Sequence, residues 1–190
     1  MIPVTLLALT LCAAPTESVP ERPPGAFGLG LRLNVGVGVV EALAAGGAPS
    51  GLVPRIGLEY ELAPGISVAA GARLQRGIVD GEPTFARVGA DLGARVRWRT
   101  SGRRFAAGLG LGLQIGGFSA SRELLGLGHS DDRDAQALYG FPVAPFGQAF
   151  FEWQPFRPLA FSFGVVYAPV FFEAAMVHSL EEMLTVELCF

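Results

Sequence analysis

The stretch Phe105-Ala106-Ala107-Gly108-Leu109-Gly110-Leu111-Gly112-Leu113-Gln114-Ile115-Gly116 decides how the rest of the chain is read. Every second residue (Phe105, Ala107, Leu109, Leu111, Leu113, Ile115) is apolar, and the residues between them are Ala106, Gln114 and four glycines. Side chains of a β-strand alternate between two faces, so this segment has one greasy face and one nearly bare one. A helix would mix the two sets around its circumference, and each glycine in it would cost about 1 kcal/mol relative to alanine. The segment is read as a strand, and the question is what each face meets.

The same period of two recurs on both sides of it. Strand one is expected from Ala26 to about Val40, with Leu31, Leu33, Val35, Val37 and Val39 opposed to Arg32, Asn34, Gly36 and Gly38. Strands two, three and four are expected at Leu52 to Leu62, Ile66 to Ile78 and Thr84 to Trp98; after the opening stretch come Phe141 to Gln154, Leu159 to Phe172 and Met183 to Phe190. Ala63-Pro64-Gly65 reads as a tight turn. Glu41 to Ser50, Ser119 to Leu138 and Glu173 to Glu181 read as loops. Connections that alternate long and short between eight strands describe an all-β, antiparallel up-and-down meander.

Composition narrows the class. The chain has 190 residues and is 51% hydrophobic but only 16% charged, against about 25% charged in ordinary soluble domains. A net charge of -3 gives no case for nucleic acid, and every basic residue is arginine. Ile2 to Ala14 is an apolar run ending in small residues, too short to span a membrane as a helix but suited to a secretory signal, although a basic leading region is missing. Residues 1–14 are therefore expected to be a signal peptide, 15–25 a proline-rich mature N-terminus and 26–190 the barrel. With Cys12 in the leader, Cys189 is the one thiol left, and no internal disulfide is expected.

The bare face is mostly glycine with a few arginines, glutamates and glutamines. Exposed glycine strands pack nothing, whereas a narrow eight-stranded barrel has room inside for only some long side chains. The apolar face then points outward, where lipid accepts it, and closure satisfies the backbone groups that hydrocarbon cannot. Strands of this length suit a tilted membrane crossing. Trp98, Phe105 and Trp153 lie beside short turns, where an interfacial aromatic girdle belongs, and Pro54, Pro142, Pro145 and Pro169 fall toward the other rim. On these features, and on the closing alternation Leu184, Val186, Leu188, Phe190, the chain resembles the small eight-stranded bacterial outer-membrane barrels: the outer membrane protein A transmembrane domain and the OmpX-like and opacity-like proteins. The resemblance implies an outer-membrane location with both termini periplasmic, and an assembly signal at Phe190 read by the barrel-assembly machinery. It also implies outer-membrane lipid and lipopolysaccharide as partners, and a monomer.

The most specific chemistry lies on the inward face. Arg32, Arg55, Glu59, Glu61, Arg73, Arg87, Asp91, Arg95, Arg97, Glu152 and Glu187 are expected to form an Arg–carboxylate network filling the lumen. A hairpin centred on Pro64 pairs Leu62 with Ile66 and sets Arg55 opposite Arg73, which would repel. A register pairing Gly77 with Arg87 would place Asp91 opposite Arg73, while Glu187 faces Arg32 across the seam. Gly108, Gly110 and Gly112 are expected to leave room for Asp91, Arg95 and their partners. The functional reading is a structural, adhesive or surface-interaction barrel with no catalytic residues, cofactor or metal. A narrow gated pore is the alternative, and a lipid-modifying enzyme a remote one, resting on His129 or on His178-Ser179 beside Glu181. Acidic residues of the longer loops (Glu41, Asp80, Glu82, Asp131, Asp132, Asp134, Glu173) suggest cation bridging to lipopolysaccharide phosphates or adhesion.

Overall fold

The computed structural model describes residues 30–79, 82–102, 104–128, 137–156, 158–173 and 175–190. The expected leader, the mature N-terminus and the start of strand one at Ala26 lie outside the described residues, as do His129, Asp80, Asp131, Asp132 and Asp134. The period-two segments form β1 (Leu31–Leu43), β2 (Ser50–Ala63), β3 (Ile66–Val79), β4 (Glu82–Arg99), β5 (Phe105–Ser121), a short β6 (Ala137–Tyr139), β7 (Val143–Phe156), β8 (Leu159–Phe171) and β9 (Met176–Cys189). All pairings are antiparallel. Each long strand pairs with the next, β5 with β7 across the short β6, and β9 returns to β1, so eight long strands close a barrel without a free edge. The described residues contain no helix.

Alternation carries through the wall as expected. Leu111 is 73% exposed on the outside, and Leu52, Val88 and Leu184 lie on the same outer surface. The two-residue turn between β2 and β3 requires glycine at Gly65, whose φ is 77°. Gly65 also accepts a hydrogen bond at 2.7 Å from the Arg97 backbone N–H, locking the turn to β4.

Several boundaries differ from the expectations. β9 begins at Met176, so most of Glu173 to Glu181 is strand, not loop. The alternation there was masked because His178 and Glu182 face outward and Ser179 and Glu181 inward, so neither face is apolar. A bulge between Glu61 and Ala63 pairs Ile66 with Ala63 instead of Leu62. β5 runs on to Ser121, and only two residues separate β3 from β4, so connection lengths do not alternate strictly.

The glycine face of β5 has a different occupant from the one expected. Gly108, Gly110 and Gly112 lie directly across from Phe150, Gln148 and Phe146 of β7. A Cβ on Gly112 would come within 2.6 Å of the Phe146 ring, one on Gly110 within 2.8 Å of Gln148 Cγ, and one on Gly108 would strike the Phe150 ring. The space therefore goes to side chains of the adjacent strand that lie flat over the glycine backbone, not to Asp91 and Arg95. Gly108→Leu is expected to cost about 1–3 kcal/mol by overpacking, whereas Leu109→Val on the outer face should change stability by less; urea unfolding of the refolded protein in micelles reads both.

Candidate functional site

The inward positions of the strands place charged side chains in two layers. In the layer nearer the short-turn end, Glu59 of β2 is buried and accepts from Ser67 at 2.7 Å, Arg95 at 2.6 Å and Arg97 at 2.7 Å. Arg97 also reaches Glu152 at 2.8 Å. Arg32 bridges Glu152 at 3.0 Å and Glu187 at 3.1 Å, and Ser162 donates to Glu187 at 3.0 Å. The second layer is centred on Asp91 and Glu181. Arg73 contacts Asp91 and Glu181, each at 2.5 Å, and Arg87 binds Glu181 and Gln114. Arg55 faces Arg73 across the β2–β3 pair, and the Asp91 carboxylate stands between them, 3.5 Å from Arg55 Nε. Glu61 sits apart at the short-turn mouth, half-buried, paired with Arg99 at 3.1 Å.

The register between β3 and β4 differs from the expectation. Gly77 pairs with Phe85 and Arg73 with Gly89, so Asp91 lies opposite Gly71. Asp91 still meets Arg73 because a diagonal neighbour on the same face is within reach of a long side chain.

Two groups of lumen residues escaped the sequence reading. Glu181, fully buried, holds two arginines and was hidden by the loop assignment of its segment. Phe118, Phe146 and Phe150 form an aromatic wall: Arg87 lies 5.8 Å from the Phe118 centroid, Arg73 5.9 Å from Phe146, and Arg95 and Arg97 5.5 and 5.3 Å from Phe150. A ring face attracts a guanidinium more strongly where water is excluded. The cross-strand pairing of Phe146 and Phe150 with glycines was the available signal.

Beyond these layers, toward the longer hairpins, the lumen becomes apolar. Ala42, Phe85, Phe118, Ala120, Leu124, Leu125, Val170, Phe172 and Val177 form a buried cluster. Leu124 and Leu125 follow β5 and fold over the mouth, tied to the β1–β2 hairpin by a 2.8 Å bond from the Gly46 N–H to the Leu124 carbonyl.

The remaining predicted residues lie at the surface. Trp98, Phe105 and Trp153 are exposed on the outer wall, Phe105 stacked on Phe151 and Trp153 on Phe161. The Phe190 backbone N–H donates to the Leu31 carbonyl at 2.8 Å, continuing the β9–β1 pairing. His178 points outward and bonds the Tyr167 hydroxyl at 2.7 Å, while Ser179 and Glu181 point inward. The barrel wall thus separates the histidine from the serine of the suspected triad.

A closed meander of this strand number, with an apolar exterior and ion pairs inside, has clear counterparts among solved structures. Its fold is that of the small outer-membrane barrels. Neisserial surface protein A aligns with a TM-score of 0.67 at 16% identity, covering 85% of this chain and 97% of that one. The outer membrane protein OprG from Pseudomonas aeruginosa gives 0.52 at 11% identity, over 88% and 98% of the two chains. Ail, the attachment invasion locus protein of Yersinia pestis, gives 0.51 at 13% identity, over 84% and 99%. No family model and no curated protein sequence matches the chain.

In this barrel, Glu181 is the carboxylate on which two buried arginines depend. Glu181→Gln is expected to cost about 3–5 kcal/mol, the range for breaking a buried pair. Glu61→Gln, at the wet mouth, should cost no more than about 1 kcal/mol. Urea titration of each variant separates the two cases.

Proposed function

We propose that the chain is an integral outer-membrane barrel that acts through its exposed surfaces, in a structural, adhesive or surface-interaction role, with its lumen serving as a core and not as a pathway. The observation that carries this reading is the filled lumen: two layers of ion pairs and, beyond them, an apolar plug closed by Leu124 and Leu125. A conducting path would require both to open, and the ion pairs are strongest where water is absent. The likeness to a Neisserial surface protein and to an attachment protein supports a surface role.

In the same reading both termini are periplasmic, and the longer hairpins face the cell exterior. Exposed Glu41 and Glu173 belong to that outer end, available to cation-bridged lipopolysaccharide phosphates or to a surface partner. Trp98, Phe105 and Trp153 sit at the inner lipid interface, where amphipathic rings are favoured. Phe190, at the end of the closing strand, presents the barrel to its assembly machinery. The reading is non-enzymatic, supported by the separation of His178 from Ser179.

Heat-modifiable migration on gels is the first expected result, since a closed barrel resists detergent until boiled. In planar bilayers neither the wild type nor Arg73→Ala should give stepwise current. Sustained openings in the wild type would establish the pore instead, and openings only in Arg73→Ala would make the second charged layer a gate.

A further inference from the structure

We propose that the lumen binds one small monovalent anion, of the halide class, between Arg55 and Arg95. Among the described residues the buried lumen charges are six guanidinium groups and five carboxylates. The layer at the short-turn end balances, with Arg32, Arg95 and Arg97 set against Glu59, Glu152 and Glu187. The excess falls in the second layer, where Arg55, Arg73 and Arg87 share Asp91 and Glu181. Arg73 and Arg87 take the close positions on those carboxylates. Arg55 keeps a 3.5 Å contact with Asp91, an oxygen that Arg73 already holds at 2.5 Å.

An arginine does not relieve this by losing a proton, because its delocalised guanidinium stays charged in proteins. Nor can a water molecule, which satisfies donors but carries no charge. A counterion does both. The room for one lies beside the unmatched group: a cavity of about 20 Å³ between the two layers is lined by Arg55, Arg95, Gln148, Thr185, Glu187 and Gly164, among others. That space suits a single water-sized occupant and is too small for a phosphate or sulfate. Arg55 and Arg95 bring two cations to it, and Gln148 and Thr185 add uncharged polar groups. Glu187, the one carboxylate at its edge, is turned to other partners, accepting from Ser162 and Arg32. The site is thus a cationic pocket in which the local charge is left over from the ion-pair network around it.

The test uses the full barrel refolded in micelles, with sodium chloride replacing sodium gluconate at constant ionic strength. Gluconate is too large for the cavity, so only chloride should stabilise through it. The folded-to-unfolded ratio in urea should rise about tenfold once chloride reaches tenfold its dissociation constant, and Arg55→Met should flatten that dependence. Crystals of the wild type grown in bromide should show an anomalous peak between Arg55 and Arg95. This second measurement needs no variant, so a failure of Arg55→Met to refold leaves the question decidable. Equal stability in the two salts, or water density without an anomalous peak in the cavity, overturns the proposal.

Discussion

A guanidinium group sealed away from water must find a carboxylate or an aromatic face, and the barrel is arranged around that requirement. Among the described residues, all six buried arginines come from β1 to β4. The opposite wall, β5 to β9, supplies Glu152, Glu181 and Glu187 together with the rings of Phe118, Phe146 and Phe150. The ion pairs Arg32–Glu152, Arg97–Glu152, Arg73–Glu181 and Arg87–Glu181 therefore cross the lumen between strands that are not neighbours in the sheet. They act as struts between two half-cylinders. A lipid-exposed exterior gains little from association with hydrocarbon, so these struts and the backbone ladder are what distinguish the closed barrel from looser pairings of the same strands.

The glycines of β5 belong to the same arrangement. An aromatic ring from β7 lies over each of Gly108 and Gly112, and an arginine from β3 or β4 lies over the ring. The stacking order of backbone, ring and cation needs the full width of the bore. A side chain at the glycine would lift the ring and displace the arginine from its carboxylate. Bareness on β5 is thus a condition for charge pairing by arginines of β3 and β4.

How much of this was legible follows from the same geometry. Period-two alternation with an apolar outer face identified the eight long strands, because the lipid-facing set is chemically uniform. It failed where the faces stop differing in polarity. In β9 the segment from His178 to Glu182 is polar on both sides, and the Glu181 site was lost with it. In β7, Phe146 and Phe150 face inward between outward Val143, Pro145 and Phe151, so the apolar residues do not report a face. The β3–β4 register was missed by two residues because such a slip leaves every side chain on its own face, so alternation does not distinguish the two pairings. Asp91 was nonetheless assigned to Arg73, since side-chain length makes that pair tolerant of a two-residue slip.

The bulk of the lumen and its long-hairpin end are filled by different chemistry, and the exchange is visible within single strands. On β1, Val37 and Val39 face out while Gly36 and Gly38 face in; one turn of the alternation later Glu41 faces out while Val40 and Ala42 face in. On β5, Leu111 and Leu113 face out with Gln114 inside, whereas Phe118 and Ala120 are inside farther along. The backbone pattern continues unchanged through both regions; the inner face turns apolar, while the outer face keeps Leu43, Phe171 and Met176 exposed beside Glu41 and Glu173. Below the exchange the exterior suits hydrocarbon and the interior must be neutralised by ion pairs. Above it the interior is an apolar core, in which Phe85, Phe118, Leu124, Leu125 and Phe172 fill the bore without charges. The level at Val40 and Phe118 is therefore where the filling of the lumen changes: Glu181 and Arg87, paired directly with them across the ladder, are the last charges among the described lumen residues, and the apolar plug begins beyond.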